Sequence, residues 1–210
     1  MKKQNLLLML MGCVFAVTSL CSCLGDGNDD EQSKVLYLTH AQRMQILNAT
    51  TGNYTGWMYY ADATSHKRDS VAVTWTISGS DSTLTVESLP MKQFAQYLYD
   101  KTAKETVEKM NNQRLIAGIY TPYYITKADW DNQFYQFQVV PKDYKIVFNH
   151  EGKACELIFS PTALQPYGTY YYPIMQFFKG QNIIYLLVKE LKIDQSTYPI
   201  NNIFILRTKV

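Results

Sequence analysis

The stretch Ser70-Val71-Ala72-Val73-Thr74-Trp75-Thr76-Ile77-Ser78 decides the fold class. Val71, Val73, Trp75 and Ile77 fall on one side of an extended chain; Ala72, Thr74, Thr76 and Ser78 fall on the other. A period of two in a β-branched run predicts a strand with one buried face. Upstream, Gly52-Asn53-Tyr54-Thr55-Gly56-Trp57-Met58-Tyr59-Tyr60 is an aromatic β-type run bounded by turn residues. Downstream, Ser78-Gly79-Ser80-Asp81-Ser82 turns the chain into a further strand, Thr83 to Glu87, which completes a three-strand meander.

Beyond the meander the period changes. Thr39-His40-Ala41-Gln42 is a capping-box pattern ahead of Met44, Ile46 and Leu47, so a short helix is expected to end near Asn48. Pro90 suits a first helical turn, and Met91, Phe94, Ala95 and Leu98 follow at helical spacing. A second helix is expected over Thr102–Met110, with Val107 and Met110 inside and Lys104/Glu108 and Glu105/Lys109 paired outside. Strands resume at Phe134–Val140, Tyr144–Asn149 and Ala154–Phe159, the last two joined by the turn Asn149–Lys153. Tyr170–Phe178, Ile183–Leu191 and Ile203–Lys209 follow, with Gly180-Gln181-Asn182 as a hairpin turn. Ile183–Val188 and Ile203–Leu206 are apolar at every position, which predicts cover on both faces, by helices or by a closed barrel. The expectation is a mostly β (α+β) domain over 35–210: an antiparallel meander or lipocalin-like barrel of about nine strands carrying two or three short helices.

The N-terminus reads as an export signal over 1–22. Lys2 and Lys3 precede the apolar run Leu6–Leu20, which falls short of the ~20 residues a spanning helix needs. It ends in Leu20-Cys21-Ser22-Cys23, which resembles the lipobox of bacterial lipoproteins. That resemblance implies cleavage after Ser22 and lipidation of Cys23, with attachment to the membrane through N-terminal acyl chains. Residues 23–34 are polar and rich in Gly, Asn and Asp, and read as a tether. The acids from Asp26 onward resemble the export signal of surface lipoproteins in Bacteroides-type bacteria. The implied location is the bacterial outer membrane, on the cell-surface side or else the periplasmic side.

Residues 1–22 hold two lysines and no acid, so a chain beginning at Cys23 carries 18 basic and 18 acidic residues. That balance, without a basic block, excludes an electrostatic case for nucleic acid. Cys155 is then the sole cysteine besides Cys23, and its apolar segment predicts a buried, inert thiol.

The lipobox, the acidic tether, the Gly52–Gly56 "G-x-Y-x-G" strand and the run Leu84–Pro90 ahead of a helix together resemble uncharacterised Bacteroides-type lipoproteins with a domain of unknown function. The opening strand also resembles that of calycin (lipocalin-like) barrels, which implies a small ligand held in the barrel mouth. Tyr54 stands where lipocalins usually carry Trp.

No G-x-S-x-G elbow, H-E-x-x-H, phosphate loop or dinucleotide fingerprint occurs, so no catalytic residue, metal ligand or cofactor is assigned. His40, His66 and His150 stand apart in polar turns or caps, where exposure is expected. Asp129-Trp130-Asp131 is an acidic pair beside an aromatic ring, but i and i+2 neighbours do not straddle a sugar, so a loop or helix start is expected there.

The distinctive feature is tyrosine, 17 of 210 residues. Tyr59-Tyr60, Tyr123-Tyr124 and Tyr170-Tyr171-Tyr172 cannot all point inward, because alternate strand residues face opposite sides. Tyr123, Tyr124, Trp130, Tyr170, Tyr171 and Tyr172 are therefore the candidate ligand or partner contacts. Asp69-Ser70-Val71 and Asp81-Ser82-Thr83 resemble the O-glycosylation sites of such bacteria, which makes Ser70 and Ser82 candidates for modification. Three functions are consistent with the residues. The leading one is a non-enzymatic binding module for a glycan or small apolar ligand. The alternatives are a structural or accessory subunit of an envelope protein complex, and a hydrolase with a dispersed site.

Overall fold

The computed structural model describes residues 34–209; the expected export signal over 1–22, Cys23 and the acids Asp26 to Glu31 lie outside them. In chain order the elements are β1 (Val35–Tyr37), α1 (His40–Ala49), β2 (Gly52–Ala61), β3 (Arg68–Ser78), β4 (Thr83–Leu89), α2 (Lys101–Glu108), β5 (Gln113–Tyr120) and β6 (Tyr124–Thr126). There follow α3 (Lys127–Asp131), β7 (Phe134–Pro141), β8 (Lys145–His150), β9 (Lys153–Phe159), β10 (Ile174–Phe178), β11 (Gln181–Ile193) and β12 (Ser196–Thr208).

β3 buries Val73, Trp75 and Ile77, as its alternation requires. β2, β3, β4, β5, β7, β10, β11 and β12 each pair antiparallel with the next, and β12 returns to β2. The result is a closed eight-stranded barrel. Closure removes the open sheet edges that otherwise invite aggregation. β11 is long enough to serve two neighbours along one side: Gln181–Ile184 pair with β10, and Val188–Ile193 pair with β9 past a bulge. The β8–β9 hairpin thus hangs from the barrel wall, and β1 with β6 forms a separate two-stranded ribbon.

α1 carries the expected capping box, Thr39 with Gln42, and buries Ile46 and Leu47. Several expectations need correction. There are twelve strands among the described residues, not about nine. β5 is not legible in the sequence because Ala117 and Gly118 disfavour strands and Ile116 breaks the alternation of Leu115, Ala117 and Ile119. Met91–Tyr97 is a 3₁₀ helix, which the i,i+3 pair Met91 and Phe94 satisfies as well as an α-helix does. On α2 the exposed ion pair that forms is Lys101–Glu105, at 3.9 Å. β10 begins at Ile174, so Tyr170–Tyr172 belong to a loop, and the β10–β11 turn is Lys179-Gly180, both in left-handed conformation. His40 and His66 are exposed, but His150 ends β8 half-buried with its Nε2 lacking a partner.

Candidate functional site

The barrel axis is filled. Met58, Trp75, Leu84, Phe137, Phe204 and Leu206 all point inward and are essentially inaccessible. Both ends are stoppered. Where β2 begins, α1 closes the barrel, tied down by the Tyr54 hydroxyl donating to the Thr50 carbonyl at 2.6 Å. At the other end the 3₁₀ helix lays Phe94 and Tyr97 on Phe204, with ring centroids 4.6 and 5.7 Å away. Tyr97 donates its hydroxyl to the Ala61 carbonyl, and Tyr60 donates to Asp69 at 3.0 Å. Burial, and then the neighbouring Asp69 carboxylate, push the Tyr60 phenol up to about 12. α2 backs this stopper through Ala103 and Val107. The mouth that a calycin-type ligand enters is thus occupied by the chain's own rings. Inside, the Trp75 Nε1 and both side-chain polar atoms of Asn182 have no hydrogen-bond partner.

The outer face differs from strand to strand. On β3 it carries Thr74 and Thr76, and on β7 Gln136 and Gln138. Across β11, β12 and β2 it is apolar and aromatic. Register makes Tyr185, Ile205, Tyr59 and Ser70 direct neighbours in one row, and Ile183, Arg207, Trp57 and Ala72 in the next. Directly opposite residues have Cβ atoms ~5 Å apart, so each row is continuous. The Arg68 guanidinium lies over the Tyr59 ring at 3.8 Å, and Tyr171 packs on Tyr185 at 6.3 Å. Desolvation raises the Tyr185 phenol, Tyr171 adds to the shift, and Arg207 opposes it. Farther along, Leu187 and Ile203 are directly opposed and fully covered. The shelf therefore runs from a buried edge to an open one, where Trp57 is 39% exposed.

Of the six aromatic residues expected at a contact surface, Tyr171 joins this shelf, and Tyr170 and Tyr172 stand exposed on either side of it in the loop. Tyr123 and Tyr124 are exposed elsewhere, on and beside β6, with Tyr37 and Arg43. Trp130 is half-buried against the core on α3. Asp131 is held by Lys127 at 2.7 Å, and the Asp129 N–H donates to the Thr126 cap, which accounts for both as helix-end residues. Ser82 sits half-buried in the β3–β4 turn with positive φ, and Ser70 closes one row of the shelf. Trp57, Tyr59, Tyr185, Arg68 and Arg207 are not among the contact candidates the sequence offers. Parity required one ring of Tyr59-Tyr60 to face outward, but which distant residues join it depends on register across ~150 positions. Cys155 is buried, and desolvation raises its thiol. Among the described residues no group of three His, Cys, Asp or Glu converges.

Fold and surface define a closed, internally packed antiparallel β-barrel with an aromatic shelf on its wall. The chain belongs to the family described as Domain of unknown function (DUF4840), whose model matches residues 49–187. No curated protein and no solved structure matches it.

Proposed function

We propose that this chain is a lipoprotein of the bacterial outer membrane, acylated at Cys23 and exposed at the cell surface, whose barrel is a non-enzymatic module that binds a glycan on its outer wall. The observation that carries the binding reading is the shelf: Trp57, Tyr59, Tyr171 and Tyr185 beside Arg68 and Arg207 on one continuous face. Flat aromatic faces stack on the apolar faces of sugar rings, and guanidinium donors reach hydroxyl or carboxylate oxygens. A filled and stoppered interior favours a ligand on the outside. The lipobox-like Leu20-Cys21-Ser22-Cys23 and the acids after it support the anchor and the location.

The test is affinity electrophoresis through gels cast with soluble mannan, dextran or arabinogalactan. Retardation by at least one polysaccharide is expected, weakened about tenfold or more by Trp57→Ala with Tyr59→Ala. The same residue types anchor protein interfaces, which favours an accessory subunit of an envelope complex as the second reading. No retardation by any polysaccharide, together with photocrosslinking from position 57 to one envelope protein, would select that reading. Mass spectrometry of the N-terminal peptide checks the anchor separately: a peptide without acyl chains on Cys23 refutes it.

A further inference from the structure

A second aromatic surface stands apart from the shelf. β1 and β6 pair as Val35↔Thr126, Leu36↔Ile125 and Tyr37↔Tyr124. Ile125 faces the core, so parity turns Val35, Tyr37 and Tyr124 outward. Tyr37 and Tyr124 put their ring centroids 6.2 Å apart. Beside them the Arg43 guanidinium lies over the Tyr123 ring at 4.6 Å. These rings are unusually bare: Tyr37 is 82% exposed, Tyr123 70% and Tyr124 61%. The cations at this surface are Arg43 and the exposed Lys34, whose carbonyl accepts from the Lys127 N–H. On the adjoining α3, Asp131 is already neutralised by Lys127.

The location of this surface along the chain identifies what covers it. Val35 begins the first described element, twelve positions after Cys23. Twelve residues span at most about 40 Å, so this ribbon has the shortest covalent path of any described element to the acylation site. Tyrosine rings favour the boundary between headgroups and acyl chains, where the ring is buried and the hydroxyl stays wet, and cations beside them suit lipid phosphates. We infer that Tyr37, Tyr123 and Tyr124, with Arg43, form a membrane seat that lies on the bilayer to which the chain is anchored. The seat rests on the acylation of Cys23 proposed above. It leaves the shelf as a separate surface and gives the domain a fixed orientation.

Hydroxyl-radical footprinting of the full, membrane-extracted protein in vesicles of phosphatidylethanolamine and phosphatidylglycerol tests this. Tyr99, 101% exposed, and Tyr170, 54% exposed, serve as internal references. The expected result is oxidation of Tyr37 and Tyr124 at least about fivefold below Tyr99. Equal reactivity of Tyr37 and Tyr99, in protein whose N-terminal peptide carries acyl chains, overturns the seat and leaves the anchor standing. An unacylated N-terminal peptide overturns the anchor and the seat together. Protection seen in cells but not in vesicles overturns the seat in favour of a protein partner on the same rings.

Discussion

Replacing Gly56 by alanine is the sharpest test of how the barrel closes. A Cβ at position 56 would stand 2.0 Å from the Arg207 carbonyl oxygen, 2.8 Å from its carbon and 2.8 Å from Cη2 of Trp75. Two of those three atoms are backbone, and the third belongs to a ring that is itself locked in the core. Relief therefore requires β2 and β12 to part by more than 1 Å where Gly56 faces Thr208. Overpacking of this kind costs ~1–3 kcal/mol, and weakening one or two ladder hydrogen bonds adds ~1 kcal/mol each, so the loss is about 2–5 kcal/mol. For a domain of this size that corresponds to a fall in Tm of about 10 °C. Gly79→Ala is the control. Its Cβ would meet Asn48 Oδ1 at 2.4 Å and Thr51 Oγ1 at 2.6 Å, both on side chains that can rotate away. That variant is expected to lose no more than about 1 kcal/mol. Urea and thermal unfolding followed by circular dichroism give both values. A Gly56→Ala variant within about 0.5 kcal/mol of the parent, or less damaged than Gly79→Ala, would refute the close approach of β2 to β12.

Three further outcomes follow from local chemistry. Lys145 donates to Glu156 at 2.6 Å and Lys192 lies 3.9 Å from it, which holds the Glu156 carboxyl below its ordinary 4.5. A depressed carboxyl contributes stability above its unfolded pKa and loses it as pH falls through the folded one, so Glu156→Gln should flatten the stability profile below about pH 4.5 and leave its slope at neutral pH unchanged. Cys155 is buried with a raised thiol, so iodoacetamide at pH 8 should label it only after denaturation; rapid labelling of the folded chain would contradict its burial. Asn182→Val removes an inaccessible amide that has no hydrogen-bond partner, and should raise stability by about 1–2 kcal/mol in urea titration, whereas a decrease would show that the amide is satisfied in solution.

The parts of the fold legible in the sequence are those written locally. β2, β3 and the start of β4 follow from alternation between turns, and α1 from its capping box. Where alternation fails, in Leu115-Ile116-Ala117-Gly118, a whole wall strand carries no local signature. Apolar runs such as Ile183–Val188 signalled cover on both faces without saying what supplies it: the barrel interior on one side, and on the other the residues outside Leu187. The shelf was less legible still. Tyr59, Ile205 and Tyr185 become a row only through two long-range registers, and residue type carries no record of them. Tyr170–Tyr172 stand out in the sequence by their clustering, yet it is Tyr171 that packs on the row.

The pairing of β12 with β2 also sets a timetable. Gly56 and Thr208, which face each other in the finished wall, are made about 150 residues apart. At ~5–20 residues per second, roughly 8–30 s separate their synthesis. Through that interval the aromatic edge of β2 has no permanent neighbour, and contacts so distant in sequence form late. A nascent chain stopped before Ser196 keeps both barrel edges open, because β12 is the strand that covers β2. Until the thirteen-residue β12 has been made, that edge is open to pairing with any other extended chain.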